Sequence, residues 1–594
     1  MTSLSDHPSR RLGRGAADPP RHGGVFSCPP PPLVTNKSIA RRLKLTADLV
    51  ELTGGNPFRA RAFASGARAV DRLDVPVADL VADGSLTDVQ GIGKGLAADI
   101  REIVTTGDLA LTDRLLQSLP PGLPDVLRVR GLGVKKVKAL WDEAGVTSLD
   151  ELEAAAASGR LADLAGFGAK TVENILAGVE ELRSFQGKAH LRDAYREAAA
   201  VRLALATAGL RASLAGPVRR QCNVVEAIDL VVAGGPGPVA DVLGGLGLAP
   251  SSSTEHVVEA TAPLGLPLRA WLAPEASYGR VLFERTGSQA HLDAFRAAHG
   301  DPADVADEDA VYASAGLSPI PPPLREGGRE LELAAADALP DLVAEADLRG
   351  TVHNHSTWSD GAHTLREMAE AARERGLGYF GVCDHSRSLQ IAHGLSVEQL
   401  AAQREEVDAL NAEYVERGLD FRVFAGSEVD ILADGALDYP DDVLAGLDLV
   451  VASVHTGFRM SVDEATARIV AAVSNPYVDV LGHPTGRLLL RREGYPIDVE
   501  AVLDACAEHA VAVELNANPW RLDLDWRSLQ AATERGVMVS INPDAHATEG
   551  LDDTTWGVAA AQKGGLTAGH SLTSKTAPEL ADWLAARRPP TAGG

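Results

Sequence analysis

The stretch Val352-His353-Asn354-His355-Ser356, read with Asp544-Ala545-His546 far downstream, decides the fold of the C-terminal part of this chain. Each stretch follows an apolar run and places two potential ligands two residues apart. On a strand, period-two geometry turns both side chains to one face. Between them lie five more apolar runs, ending near His385, Glu428, His455, His483 and Asn516. Helical patterns separate several of the runs, for example 364–375 and 397–417. This alternation predicts a parallel sheet. If the sheet closes, its first and last strands become neighbours, and the two ligand pairs meet at the C-terminal rim, where such barrels assemble their sites.

The rim then gathers His353, His355, Asp360, His385, Glu428, His455, His483, Asp544 and His546, with no thiolate among them. Nitrogen and oxygen donors of this kind suit zinc, manganese or iron. The set exceeds the three or four ligands that one catalytic ion needs. Two or three divalent ions are therefore expected, with Glu428 a candidate bridge, and Glu428, His353, His355 and Asp544 are the expected catalytic core. Clustered divalent ions lower the pKa of a bound water and neutralise charge on phosphoryl oxygens, so phosphoester hydrolysis is the natural reaction. Cys383 falls inside a strand and is expected in the core. His363, His393, His509 and His570 fit no strand-end pattern.

Length and composition frame this part. The chain has 594 residues, enough for about four domains. Hydrophobic residues make up 45% and charged residues 23%, the proportions of a globular protein. Four cysteines, at 28, 222, 383 and 506, form no CxxC pair, which excludes a cysteine zinc ribbon or a disulfide scaffold. No apolar run reaches the roughly 18 residues of a membrane span, and the N-terminus lacks the apolar segment of a signal peptide. A reducing cytoplasm, no membrane and a monomer are the expectations.

Net charge is −26, which by itself argues against nucleic acid. Its distribution does not. Through His190 the chain carries 24 Lys and Arg against 23 Asp and Glu; the remainder carries 32 against 59. In the non-acidic part, three Gly-x-Gly turns recur: Gly91-Ile92-Gly93, Gly131-Leu132-Gly133 and Gly166-Phe167-Gly168. Each precedes an apolar helical pattern, and Lys94, Lys135, Lys136 and Lys170 follow the turns. Glycine lets the backbone approach a ligand closely, and the free N–H groups of a helix start suit a phosphate oxygen. DNA backbone binding is expected at these turns.

The motifs Val352-His353-Asn354-His355-Ser356, Ser359-Asp360-Gly361, Cys383-Asp384-His385, Gly426-Ser427-Glu428, Ser453-Val454-His455, Gly482-His483-Pro484 and Asp544-Ala545-His546 resemble those of the PHP (polymerase and histidinol phosphatase) domain. The resemblance implies a distorted seven-stranded (β/α) barrel with a trinuclear metal centre that cleaves phosphoesters. The three Gly-x-Gly turns resemble helix-hairpin-helix motifs, which grip DNA without reading bases. The order of parts is similar to bacterial family X DNA polymerases with a C-terminal PHP domain. Asn56-Pro57-Phe58-Arg59-Ala60-Arg61-Ala62-Phe63 resembles the start of their lyase-like domain. Gly216-Pro217-Val218-Arg219-Arg220 resembles their nucleotide-binding turn, and Thr286-Gly287-Ser288 the turn at the nucleotide sugar.

That resemblance implies an all-α helix-hairpin-helix region, an α+β nucleotidyltransferase-like palm and the barrel. The boundaries follow: a disordered tail at 1–34, a lyase-like domain at 35–115, a fingers-like domain at 116–190, a palm and thumb at 191–315, a linker at 316–346, the PHP domain at 347–585 and a tail at 586–594. It also exposes departures. Nucleotidyl transfer by two metals needs about three palm carboxylates. Here the first pair reads Ala227-Ile228-Asp229, and the third position falls at Arg269. Glu226 sits one residue early and by alternation faces away. Pro217 replaces a serine, and Asp99 stands where some members carry a Schiff-base lysine. Template-directed synthesis is expected to be lost, and Gly216, Arg219, Arg220, Asp229, Thr286, Gly287 and Ser288 form a vestigial nucleotide site. The implied activity is 3′–5′ exonuclease, 3′-phosphodiesterase or abasic-site endonuclease action on gapped, nicked or 3′-end DNA. An active polymerase with an editing PHP domain and a small-molecule phosphatase are the alternatives.

Overall fold

A computed structural model describes residues 36–71, 73 and 77–588. The expected tail at 1–34, with Cys28, and the residues after 588 lie outside the described residues.

The N-terminal third is helical and holds two separate cores. Ile39, Leu43, Phe63, Val70, Ile100 and Ile103 anchor the first. Leu123, Val126, Val137, Leu140, Leu152 and Ile175 anchor the second. A mixed sheet follows. Its strands run in the order Arg211–Ala215, Ile228–Ala233, Pro267–Ala273, Val257–Thr261, Ser252–Ser253, and only the Ile228–Ala233 and Pro267–Ala273 pair is parallel. The helix Tyr278–Thr286 packs on this sheet through Tyr278 and Leu282.

The stretch at 316–346, expected as a linker, is packed in part. Leu317, Ile320 and Ala334 share a core with Phe283, Phe295 and Tyr312, and Arg325 is buried against Glu308. The prolines rigidify a segment whose apolar residues still need cover, so it closes the thumb-like unit rather than crossing open solvent.

From Gly350 onward the seven strands Gly350–Thr351, Tyr379–Val382, Arg422–Asp430, Leu449–Ser453, Val480–Leu481, Ala512–Asn516 and Val539–Asn542 pair in sequence order, all parallel. Tyr379–Val382 and Leu449–Ser453 are buried at every residue, as expected for strands covered on both faces. Closure comes just beyond the named first and last strands, where Asn354 bridges Ala545 and His355 N donates to Ala545 O at 2.9 Å. The outer helices form where the sequence supplies their caps. Thr364 Oγ1 accepts from Glu367 N, the Glu367 carboxylate accepts from Thr364 N, and Leu365, Met368, Ala369 and Ala372 make the buried face of Leu365–Glu374. The barrel floor is plugged by Tyr379, Phe424, Val451, Leu580 and Leu584.

Palm and barrel are joined by polar contacts. Lys563, buried on a barrel helix, donates to Glu326 at 2.5 Å and to Arg220 O at 3.0 Å, while Arg220 Nε donates to Glu326 at 2.8 Å. Gln221 reaches Gln562 at 3.0 Å, and the His190 ring donates to Leu489 O at 3.0 Å.

Candidate metal centre

The closing bridge between Asn354 and Ala545 sets His353 and His355 beside Asp544 and His546. The other expected donors join them from the rim. Three groups of donor atoms lie within 4.8 Å of one another: His355, Asp360, His385 and His546; His353, His355 and Asp544; His385, Glu428 and His455. His355 and His385 each belong to two groups. His483 belongs to none, but its Nε2 is 2.9 Å from Glu428 Oε1. Glu428 is central: its Oε1 faces His455 Nε2 at 3.2 Å, and its Oε2 faces His385 Nδ1 at 2.8 Å, His353 Nε2 at 3.4 Å and His355 Nε2 at 3.6 Å. Asp360 Oδ1 lies 3.5 Å from His385 Nε2 and 3.3 Å from His546 Nε2.

This cluster passes a test for cations. His353 Nε2, His355 Nδ1, Asp360 Oδ1, His385 Nδ1, His483 Nδ1 and both Glu428 oxygens are buried without a hydrogen-bond partner. Leaving so many strong polar atoms unsatisfied costs several kcal/mol unless something else meets them. The all-nitrogen-and-oxygen donor set fits divalent ions.

The protonation states diverge sharply. Burial pulls His355 down, the neighbouring His546 and His385 add repulsion, and its pKa falls to about 3. For His455 burial acts in the same direction, but Glu428 and Asp430 outweigh it and hold the ring up to about 10. Burial alone would raise Glu428; the surrounding histidines instead hold it well below the ordinary glutamate value.

An outer layer of polar residues fixes the rings. Glu514 Oε1 accepts from His353 Nδ1 at 2.7 Å and from Asn542 Nδ2 at 3.0 Å, and Glu514 Oε2 accepts from His483 N at 2.7 Å. Because that carboxylate only accepts, His353 turns its Nε2 lone pair to the cluster. Asp430 does the same for His455, at 2.5 Å. Asn516 Nδ2 donates to Asp544 Oδ2 at 3.0 Å, and Arg521 Nε stands 3.6 Å from the same oxygen. The sequence reading missed this layer. One signal was available: Glu514 is the lone charge in the strand Ala512–Asn516. Cys383 sits in the core as expected, its thiol donating to Val352 O at 3.1 Å.

The three Gly-x-Gly turns share one geometry. Gly91, Gly131 and Gly166 have φ of +96°, +87° and +88°. Gly93, Gly133 and Gly168 cap the helices Lys94–Thr106, Val134–Ala144 and Ala169–Phe185 without any side-chain cap. Ile92, Leu132 and Phe167 are the buried plugs between exposed glycines. Open space lies in front of Gly93, Gly131, Gly133, Gly166 and Gly168. Lys94, Lys135 and Lys170 are exposed beside the turns, Lys170 at 2.9 Å from Glu173.

The palm contrasts with this openness. Asp229 pairs in register with Arg269 on the parallel strand. Its carboxylate lies 2.9 Å from Arg269 Nε and accepts from Trp271 Nε1 at 2.9 Å. Gly216, at φ +57°, closes over it: a Cβ there would meet Asp229 Oδ2 at 2.4 Å. Glu226 points out and approaches Lys188 at 3.5 Å. Arg219 is held by Glu308 and donates to Thr286 Oγ1 at 2.7 Å, while Arg220 donates to Thr286 O at 2.8 Å. Gly287 lies against His291 and Leu292, and Ser288 caps the helix Gln289–His299. Asp99 lies 4.0 Å from Arg59, and burial raises its pKa.

Comparison with known proteins agrees with this layout. Residues 34–109 match a helix-hairpin-helix domain, 123–181 a SAM-like helix-hairpin-helix tandem and 351–518 the PHP domain. A "DNA polymerase/3′-5′ exonuclease PolX" of Bacillus subtilis (strain 168) is 35% identical over 92% of this chain and 99% of its own length. A probable phosphatase of Thermoanaerobacter sp. (strain X514) is 30% identical over 33% of this chain and 77% of its own. Among the described residues no helix is long and apolar enough to cross a membrane. With two helix-hairpin-helix matches, a PHP match and a relative aligned over nearly the full length, the chain belongs to the PolX-type family X DNA polymerases that carry a C-terminal PHP domain.

Proposed function

We propose that this protein hydrolyses phosphodiester bonds at DNA ends or lesions in its PHP barrel, and that its palm no longer polymerises. The observation that carries the reading is the contrast between the two carboxylate sites. Glu428 has both oxygens buried without a hydrogen bond among donors suited to cations, whereas Asp229 is neutralised by Arg269 and hydrogen-bonded by Trp271. The nine donors are His353, His355, Asp360, His385, Glu428, His455, His483, Asp544 and His546. Bound there, two or three divalent ions would activate water and offset charge on the phosphoryl oxygens. The protein's own part is positional. Glu514 and Asp430 aim the His353 and His455 rings, and Arg521 places a positive charge at the rim. The open hairpin turns supply backbone donors for DNA phosphates.

The name of the Bacillus relative supports a 3′–5′ exonuclease; 3′-phosphodiesterase and abasic-site cleavage use the same chemistry. The match to probable phosphatases covers the barrel third alone, and a small phosphomonoester has no use for three hairpins. The experiment is degradation of a 5′-labelled oligonucleotide with Mn²⁺, beside a His353→Ala/His355→Ala variant. Wild-type protein should shorten the strand, and the variant should be slower by about three orders of magnitude, the scale expected when metal-assisted chemistry is removed. An intact strand with wild-type protein overturns the proposal. A second reading, an active polymerase with an editing barrel, is favoured by the complete palm sheet and by the relative's name. Primer extension with Mg²⁺ or Mn²⁺ decides between them, and sustained incorporation would establish the second.

A further inference from the structure

Between the strand end at His483 and the helix Val499–Glu508, the chain folds back on itself. Leu488 N donates to Arg492 O at 2.9 Å, and Arg492 N returns the bond at 2.8 Å. This raises Arg491 and Arg492 at the barrel mouth. Arg492 lies 4.4 Å over the Phe458 ring and donates to Gly486 O at 2.7 Å, but its Nε is buried without a partner. Burial, then repulsion from Arg521, Arg130 and Arg491, pushes its pKa below the usual arginine value. Arg130 comes from elsewhere in the chain: it immediately precedes Gly131 of the second hairpin turn.

None of Arg130, Arg491 and Arg492 forms an ion pair with a carboxylate among the described residues. The nearby Arg487, by contrast, is saturated by Asp525 at 2.5 Å. Gathering like charges without partners is unfavourable unless an anion sits among them. A cleft of about 240 Å³ opens beside the cluster, with Arg128, Lys188, Leu490 and Trp520 in its lining and Asp193 as its one acid. Trp520 is 39% exposed, unusual for its size, and Arg521 follows it in the chain. A cationic path flanked by an exposed aromatic face is the arrangement that holds single strands.

We propose that Arg130, Arg491, Arg492 and Arg521 form a phosphodiester track that leads one DNA strand from the second hairpin turn to the donor cluster, with Trp520 offering a stacking face. The track rests on the nuclease reading above, but its test does not require catalysis. Binding of a 5′-fluorescein oligothymidylate to metal-free full-length protein, followed by anisotropy across a salt series, reads the number of phosphate contacts. Each single-strand contact contributes about 0.7 to the slope of log K against log salt. Arg130→Ala/Arg491→Ala/Arg492→Ala should bind at least tenfold more weakly and lose about 2 from that slope. The corresponding triple lysine variant should regain most of the slope. Should the alanine triple fail to fold, Arg491→Glu alone, on an exposed side chain, should lower the slope by about 0.7 or more. An unchanged slope in either variant overturns the track. So does a lysine triple that binds no better than the alanine triple, or full displacement of the strand by orthophosphate at matched ionic strength, which would mark a single-anion pocket. Loss of slope in a protein that cleaves nothing would remove the nuclease reading and leave the track standing as a binding site.

Discussion

In the palm, Asp229 meets Arg269 and Trp271 within 3 Å, and Arg219 meets Glu308 through two bonds. In the barrel, both oxygens of Glu428 and one nitrogen each of His353, His355, His385 and His483 are buried, close to one another but without a hydrogen bond. Both regions hold buried acids beside basic side chains. The palm's acids are each met by an arginine, although Arg269 Nε itself makes no hydrogen bond; the barrel's donors are aimed by an outer layer of Glu514, Asp430 and Asn516 and left open, at a cost in stability that a ligand would offset. On the function proposed above, the first pattern belongs to a retired site and the second to a working one.

The sharpest way to break the comparison is at Glu514. Glu514→Gln keeps the shape but lets the side chain donate where His353 Nδ1 needs an acceptor. Metal affinity, measured by competition with a chromophoric chelator, should fall by about 10- to 100-fold, the effect of losing such an outer partner. Unchanged affinity would mean that the outer layer serves packing alone.

Acid tests the palm side. Burial raises the Glu308 pKa, but Arg325 and Arg219 outweigh it and hold it down to about 2. A depressed folded-state value contributes stability that is present above the unfolded value near 4.5 and lost as pH falls toward 2. The contribution is of order 3 kcal/mol. Glu308→Gln should therefore lower the denaturation midpoint at pH 7 and flatten its fall across that window. A parallel pH dependence in variant and wild type would show that the pair is neutral to folding.

The smallest effect is expected at Asp229. Asp229→Asn should leave oligonucleotide degradation within about twofold of wild type, since on the function proposed above the palm carboxylate has no part in barrel chemistry. A larger drop in cleavage, at unchanged stability, would bind the two sites together functionally and spoil the contrast.

Much of the barrel was legible in the sequence because its signal is local. Apolar runs ending in His385, Glu428, His455 and His483 need no long-range knowledge, and the two-residue spacing in His353/His355 and Asp544/His546 reports which face they share. Even the closure follows, since a barrel must bring its first and last strands together. Arg269 was expected at the third palm position from the family resemblance alone, and the strand register sets it opposite Asp229. What escaped depends on partners distant in sequence. Glu514 acquires its role only when His353 packs beside it, and Arg130 only when a hairpin turn comes to lie near Arg492. The packing of Leu317, Ile320 and Ala334 escaped because proline content marks stiffness, not exposure.

The joint of Lys563, Glu326 and Arg220 has one more consequence. A lysine buried against a glutamate and a backbone carbonyl does not slide, so the middle sheet and the barrel stand at a fixed separation. On the nuclease reading proposed above, that spacing would act as a ruler: a fragment too short to reach from one to the other would lose its hold, and trimming should stall at a characteristic remnant length instead of running to mononucleotides.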